Sequence, residues 1–343
     1  MLTDMPALWG PSHRLPLQVR HVADESTGSF VNRLARRNGL ELKEFLDRVG
    51  HGRQAVDPRL TEMYVNRPGL QHLAILTGRQ PQELQRALSG LADCYLLPEG
   101  DGTARWEWSW EPPQGEAYVV RGCDLCAAQR LVDEPVWLLW PERWRVCVRH
   151  RRWTDSSRSD EPAQLRLDGL PSVLRAHEKR LRLQRRFPEA GPGLFADAFH
   201  VAVYWWTCMP QVARWELRAR RTGLAPRDLR VAPVVIYPEA VAVAKAMVRY
   251  EQQVPPGGAA RSVLLSEVES TGAALGLDER FVMAPLLEWL SRHHRPSTPD
   301  APGMLRHRRF LLPPGHTRVA ESTGSLDQRS CLPWQLGAAP GEL

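Results

Sequence analysis

Lysine is nearly missing from this chain of 343 residues. Lys43, Lys179 and Lys245 are the whole set, so arginine supplies the rest of the 45 basic side chains. None of the three follows a glycine, which excludes a GxxxxGK[ST] phosphate loop, and with it a P-loop ATPase. Also missing is any run near the ~20 apolar residues that a membrane helix needs. Residues 1–17 carry Trp9, Pro11, His13 and Arg14 in place of a continuous apolar segment. That argues against a secretory signal and for a cytoplasmic protein with no membrane partner. Enzyme signatures fail too. Gly191-Pro192-Gly193-Leu194-Phe195-Ala196 spells GxGxxA, but it follows a basic helical run and Pro188 rather than a strand. His177-Glu178 lacks the second histidine of HExxH, and no GxSxG occurs. No pattern marks the scattered acids as a nuclease site, so a non-enzymatic protein is expected.

What is present is ordinary in amount and specific in arrangement. Hydrophobic residues at 43% and charged residues at 24% are globular proportions, which exclude wholesale disorder. The length suits two or three domains. A net charge of +6 permits a nucleic-acid partner without requiring one.

Residues 15–92 read as short helices joined by tight turns. Ser26 or Ser29 can cap a helix whose Phe30, Val31, Leu34 and Ala35 share one face, with Arg33, Arg36 and Arg37 pointing away. Asn38-Gly39 ends it. Leu42, Phe45, Leu46 and Val49 stripe a second helix stopped by Gly50, and Asp57-Pro58 resembles a helix start. Leu70, Leu73, Ala74 and Leu76 precede Thr77-Gly78, and Pro81 begins another helix with Leu84 and Leu88 inward. This is helix-turn-helix spacing, with Pro81–Ser89 in the recognition position and Gln82, Gln85 and Arg86 outward as candidate DNA contacts. An ordinary helical hairpin has the same spacing.

Residues 95–155 change texture. Trp106, Trp108 and Trp110 alternate with polar residues as on a strand, and they either anchor a partner or fill a small local core. Cys123-x2-Cys126 and Cys147-x2-His150 are two knuckles twenty residues apart. Four protein ligands of this kind suit one tetrahedral zinc and leave no open position, which makes the site structural. Cys94, Cys208 and Cys331 have no comparable partners.

From residue 160 to 295 helices return, and residues 296–343 form a Pro/Gly-rich tail. Arg175, Lys179, Arg180, Arg182, Arg185 and Arg186 form a basic run, with Glu178 as the only acid among them. Such a face neutralises phosphates or is simply solvated; Arg175, Lys179, Arg182 and Arg186 are its candidate DNA contacts. Residues 273–278 with Val282 suggest a second helix-turn-helix, with Phe310–Leu312 as a wing. Glu-Ser-Thr-Gly recurs at 25–28, 269–272 and 321–324, too irregularly for a structural repeat. The expected fold is mainly α and multi-domain: a helix-turn-helix unit, a small β-rich zinc ribbon, and a C-terminal helical region with this optional winged element.

Three ordered segments carry a family resemblance. They are Glu25-Ser26-x-x-Ser29-Phe30-Val31-x-Arg33-Leu34-Ala35, then Leu70-x-x-Leu73-Ala74-x-x-Thr77-Gly78, then the finger with Trp137, Trp140 and Trp144 ahead of Cys147. Over about residues 15–155 the chain resembles the TniQ family of transposition target-selection proteins, including the TnsD type. Asp124 and Val148 stand where the family often has proline after a knuckle cysteine. The resemblance implies a non-catalytic, nucleoid-associated adaptor in DNA transposition. Such an adaptor recognises target DNA, or attaches to a target-recognition complex, and recruits an AAA+ ATPase that engages the transposase. A stand-alone zinc-containing helix-turn-helix transcriptional regulator is the alternative, and a metal-dependent nuclease or recombinase a third.

Overall fold

The computed structural model of the protein describes residues 10–293, except 55–56, 60, 110–117, 157–161, 189, 210, 227, 229 and 254–257. Trp110, the suggested wing at Phe310–Leu312, Cys331 and the 296–343 tail lie outside the described residues. Two units are distinguished: one of residues up to Arg145 with a short stretch from Thr154, the other of Val146–Trp153 and the chain after residue 159.

In the first unit, α1 (Thr27–Arg37) starts where the Ser26 side chain accepts the Ser29 N–H at 3.1 Å. It ends at Asn38, followed by Gly39 at φ 68°. Its buried face holds Phe30, Val31, Leu34 and Ala35 as expected, but Arg33 is buried with them. Three residues on, Arg33 lies only about 60° from Phe30 around the helix, inside the apolar arc. A capping box between Glu41 and Glu44 opens α2 (Leu42–Val49). Asp57-Pro58 begins no helix: the Arg59 N–H closes a turn on Asp57 Oδ1 at 2.9 Å, and the chain enters β1 (Glu62–Val65). Asn66 caps α3 (Arg67–Thr77) by accepting the Gly69 N–H at 3.0 Å. Gly78, at φ 63°, supplies the left-handed turn. Three residues further, Pro81 starts α4 (Pro81–Ala87).

The tryptophan strand β2 (Trp106–Ser109) pairs antiparallel with β1, Trp106 opposite Val65. It therefore completes the helical unit: Trp106 lies in one core with Phe45, Leu46, Leu73 and Leu84. The finger region contributes β3 (Tyr118–Arg121), the one-turn helix α5 (Asp124–Ala128) and β4 (Trp137–Trp140), with β3 and β4 antiparallel.

A three-stranded sheet has the order β5 (Trp144–Cys147), β6 (Arg152–Asp155), β7 (Leu165–Arg166). Leu165 thus opens a strand where a helix is expected, opposite Trp153. The helices of the second unit are α6 (Pro171–Arg186), α7 (Gly191–Cys208), α8 (Ala213–Thr222), α9 (Ala232–Gln252), α10 (Gly258–Ala273) and α11 (Glu279–His293). Gly191–Ala196 is the first turns of α7, so the GxGxxA letters form no strand-to-helix loop. At the centre, α9 carries Pro238 inside it. Pro285 likewise lies within α11. The Arg218 guanidinium grips Glu239 with both nitrogens at 2.6 and 2.9 Å, and both side chains are buried. Trp289 donates to Asp197 Oδ2 at 2.9 Å. Between α10 and α11, Gly276 turns the chain at φ 76°, and the bare Gly272 backbone receives the Val282 side chain.

Candidate metal centre and nucleic-acid surfaces

The finger is seated through the segment just before α1. Ser26 N–H donates to Trp137 O at 2.8 Å, and Leu139 N–H donates to Asp24 O at 2.8 Å. The Trp137 N–H reaches across to Ser29 Oγ at 3.0 Å. Ser29 in turn donates to Glu25 Oε1 at 3.0 Å, and Glu25 receives Arg33 through Nε at 2.8 Å and Nη2 at 2.7 Å. Arg33 also donates to Arg20 O at 2.8 Å. Glu25, Ser26, Ser29, Arg33 and Trp137 are all buried, so β4 rests on a paired, hydrogen-bonded ionic cluster as well as on the apolar contact of Leu138 with Val22. The Glu-Ser-x-x-Ser spacing thus has a purpose that capping alone does not supply. Asp24 takes a left-handed φ of 63° to aim its carbonyl at Leu139.

Beside it, Glu62 is buried, with Oε1 accepting the Thr27 N–H at 2.7 Å. Its Oε2 has no hydrogen-bond partner among the described residues. Burial pushes its carboxyl up to about 7, against the pull of the Thr27 hydrogen bonds. The sequence gives no sign of this group, because alternation in a four-residue strand does not say that both faces are covered.

Cys123, Cys126, Cys147 and His150 converge, each offering one ligand atom, and all four atoms lie within 4.8 Å of one another. Cys147 Sγ stands 3.6 Å from His150 Nδ1. A tetrahedron with 2.3 Å zinc–sulfur bonds needs ligand atoms roughly 3.8 Å apart, so the set is of the right size to hold a metal ion. Cys123 sits at the head of α5 and is buried; the other three are half-buried.

The remaining sequence candidates separate. On α4, Gln82 and Arg86 are exposed, but Gln85 Nε2 donates to Leu91 O at 3.0 Å and to Asp93 Oδ1 at 2.9 Å. Its amide is held inside the chain. On α6, Arg175, Lys179, Arg182 and Arg186 are all exposed, at the i, i+4, i+7, i+11 positions of one face. Arg180 leaves the basic run: it is buried, 3.9 Å over the Phe195 ring, and donates to the Tyr237 hydroxyl at 3.3 Å. His177 shares that hydroxyl at 2.8 Å, and burial lowers its pKa to about 4. Trp106 is corrected as a partner anchor. It is buried, and its indole donates to Leu46 O and Gly50 O at 3.0 and 2.9 Å, so it serves the chain's own core. Trp108 is half-buried against the same core, its ring edge over Gly28.

No helix among the described residues is long and apolar enough to cross a membrane. In comparisons with known proteins, residues 16–152 match the family model TniQ. No curated protein and no solved structure matches the chain.

Proposed function

We propose, on the premise that residues 16–152 belong to the TniQ family, that this protein is a non-catalytic adaptor of DNA transposition. It recognises target DNA or attaches to a target-recognition complex, and it recruits a separate AAA+ ATPase that engages the transposase. The observation carrying this reading is that one family segment encloses the α3–α4 hairpin, the buried cluster under β4 and all four metal-ligand residues. Zinc is the metal the donor set favours, since three thiolates and one imidazole match its softness and tetrahedral habit. Closed by four protein ligands, the ion holds the finger's shape and offers no position to a substrate.

Target contact on this reading falls to the exposed face of α4. Arg86 and Gln82 are the side chains with reach, whereas Gln85 would first have to release Leu91 and Asp93. Arg86→Ala is expected to cost ~1–3 kcal/mol of target affinity if it pairs with a guanine edge. The test of the function is targeted insertion in cells lacking this gene, scored with and without a complementing copy. Loss of targeting that the copy restores is expected. Normal targeting without the gene would instead favour the transcriptional-regulator reading.

A further inference from the structure

The most buried helix of the second unit, α9, keeps a narrow window on solvent. Of residues 240–250, only Ala242, Lys245 and Arg249 are exposed, at i, i+3 and i+7. That window opens into a groove of about 680 Å3 lined by α6, α9 and α10. From α6 come Ser172, Arg175 and Lys179, from α9 Lys245, and from α10 Ser270 and Thr271. The one acid in its lining, Glu267, is neutralised by an ion pair with Arg249. Two of the chain's three lysines, Lys179 on α6 and Lys245 on α9, therefore line one groove. Beyond its mouth Arg182 and Arg186 extend the α6 stripe, which runs about 16 Å from Arg175. Glu178 beside it pairs with Arg182 at 3.6 Å.

We propose that this groove binds the phosphodiester backbone of a nucleic acid. Two lysine ammonium groups in one groove suit phosphate as point charges, and the Ser172 and Ser270 hydroxyls add donors without adding charge, while the Thr271 hydroxyl donates to Glu267 O at 2.9 Å. Nothing in the groove is arranged to read base edges, so binding is independent of sequence. The inference uses the adaptor reading only for why a nucleic acid lies nearby, and the two fail separately.

The full-length protein is titrated with fluorescent duplex DNA, single-stranded DNA and single-stranded RNA of equal length, from 50 to 200 mM salt. Lys179→Ala and Lys245→Ala are compared with Lys43→Ala, an exposed lysine on α2. Each groove variant should weaken binding several-fold on every sequence. Each should also flatten the slope of log affinity against log salt by about 0.9 for duplex, or about 0.7 for single strands. The probe that loses affinity identifies the strand the groove holds. Co-purification with the ATPase, measured in parallel, should be unchanged, and its failure in wild type would count against the adaptor reading alone. Groove variants with wild-type slopes on all three probes, or a Lys43→Ala effect of equal size, would overturn the proposal.

Discussion

Arg33 shows how far one side chain can depart from its local pattern. The sequence places it on the solvent face, because arginine next to apolar residues is normally assigned outward. Its angle on the helix allowed burial, but the acid that makes burial tolerable lies eight residues earlier, outside α1. Only the fold brings that acid to it. Arg33→Ala would leave Glu25 charged and unpaired in the interior, and a loss of about 3–5 kcal/mol is expected in denaturant unfolding. Arg33→Lys should recover only part of it, since an ammonium cannot reproduce the two-nitrogen grip. Glu62 carries a pH signature of the opposite sort. Its carboxyl binds a proton more tightly in the folded state, so stability is complete below about pH 4.5 and falls as pH rises through about 7. Glu62→Gln should remove that fall and raise stability at pH 8 relative to wild type, by up to about 3 kcal/mol. Parallel pH–stability curves for the two proteins would show the assignment to be wrong.

Elements whose signals are local were legible in the sequence. Ser26 caps α1 and Gly78 turns α3 into α4 because capping and left-handed turns depend on neighbours within four residues. The gathering of Cys123, Cys126, Cys147 and His150 into a set that could hold a metal ion was legible for the same reason, each knuckle being a short loop with its own spacing. Partners far along the chain were not legible. The alternating tryptophans correctly announced a strand, yet Trp106 pairs with Val65, forty-one residues earlier, and fills the helical core rather than a finger. At the finger, Cys147→Ser is expected to abolish one zinc per chain by elemental analysis and to expose the buried Trp137 and Trp144 to quenching. Retained zinc with native fluorescence would break the ligand assignment. In the second unit, Gly272→Ala puts a methyl group against Val282, an overpacking expected to cost about 1–3 kcal/mol. Val282→Ala in the same chain should return part of that loss, because the two sites share one contact.

At the scale of the whole molecule, the adaptor reading draws on buried polar supports and exposed basic faces. The strongest polar arrangements, Glu25 with Arg33 and Glu239 with Arg218, are buried and hold helices or strands in place. Exposed basic side chains include Arg86 on α4 and Arg175, Lys179, Arg182 and Arg186 on α6. An adaptor needs this division: fixed geometry inside, contact outside, and nucleotide hydrolysis left to another chain. The most direct measurement is co-purification of the tagged full-length protein with the AAA+ ATPase proposed as its partner, with and without ATP and target DNA, alongside ATP hydrolysis by this chain alone. The account predicts a stable, nucleotide-dependent complex and no hydrolysis by the isolated protein. No complex under any nucleotide condition, or hydrolysis by the purified chain, would contradict it.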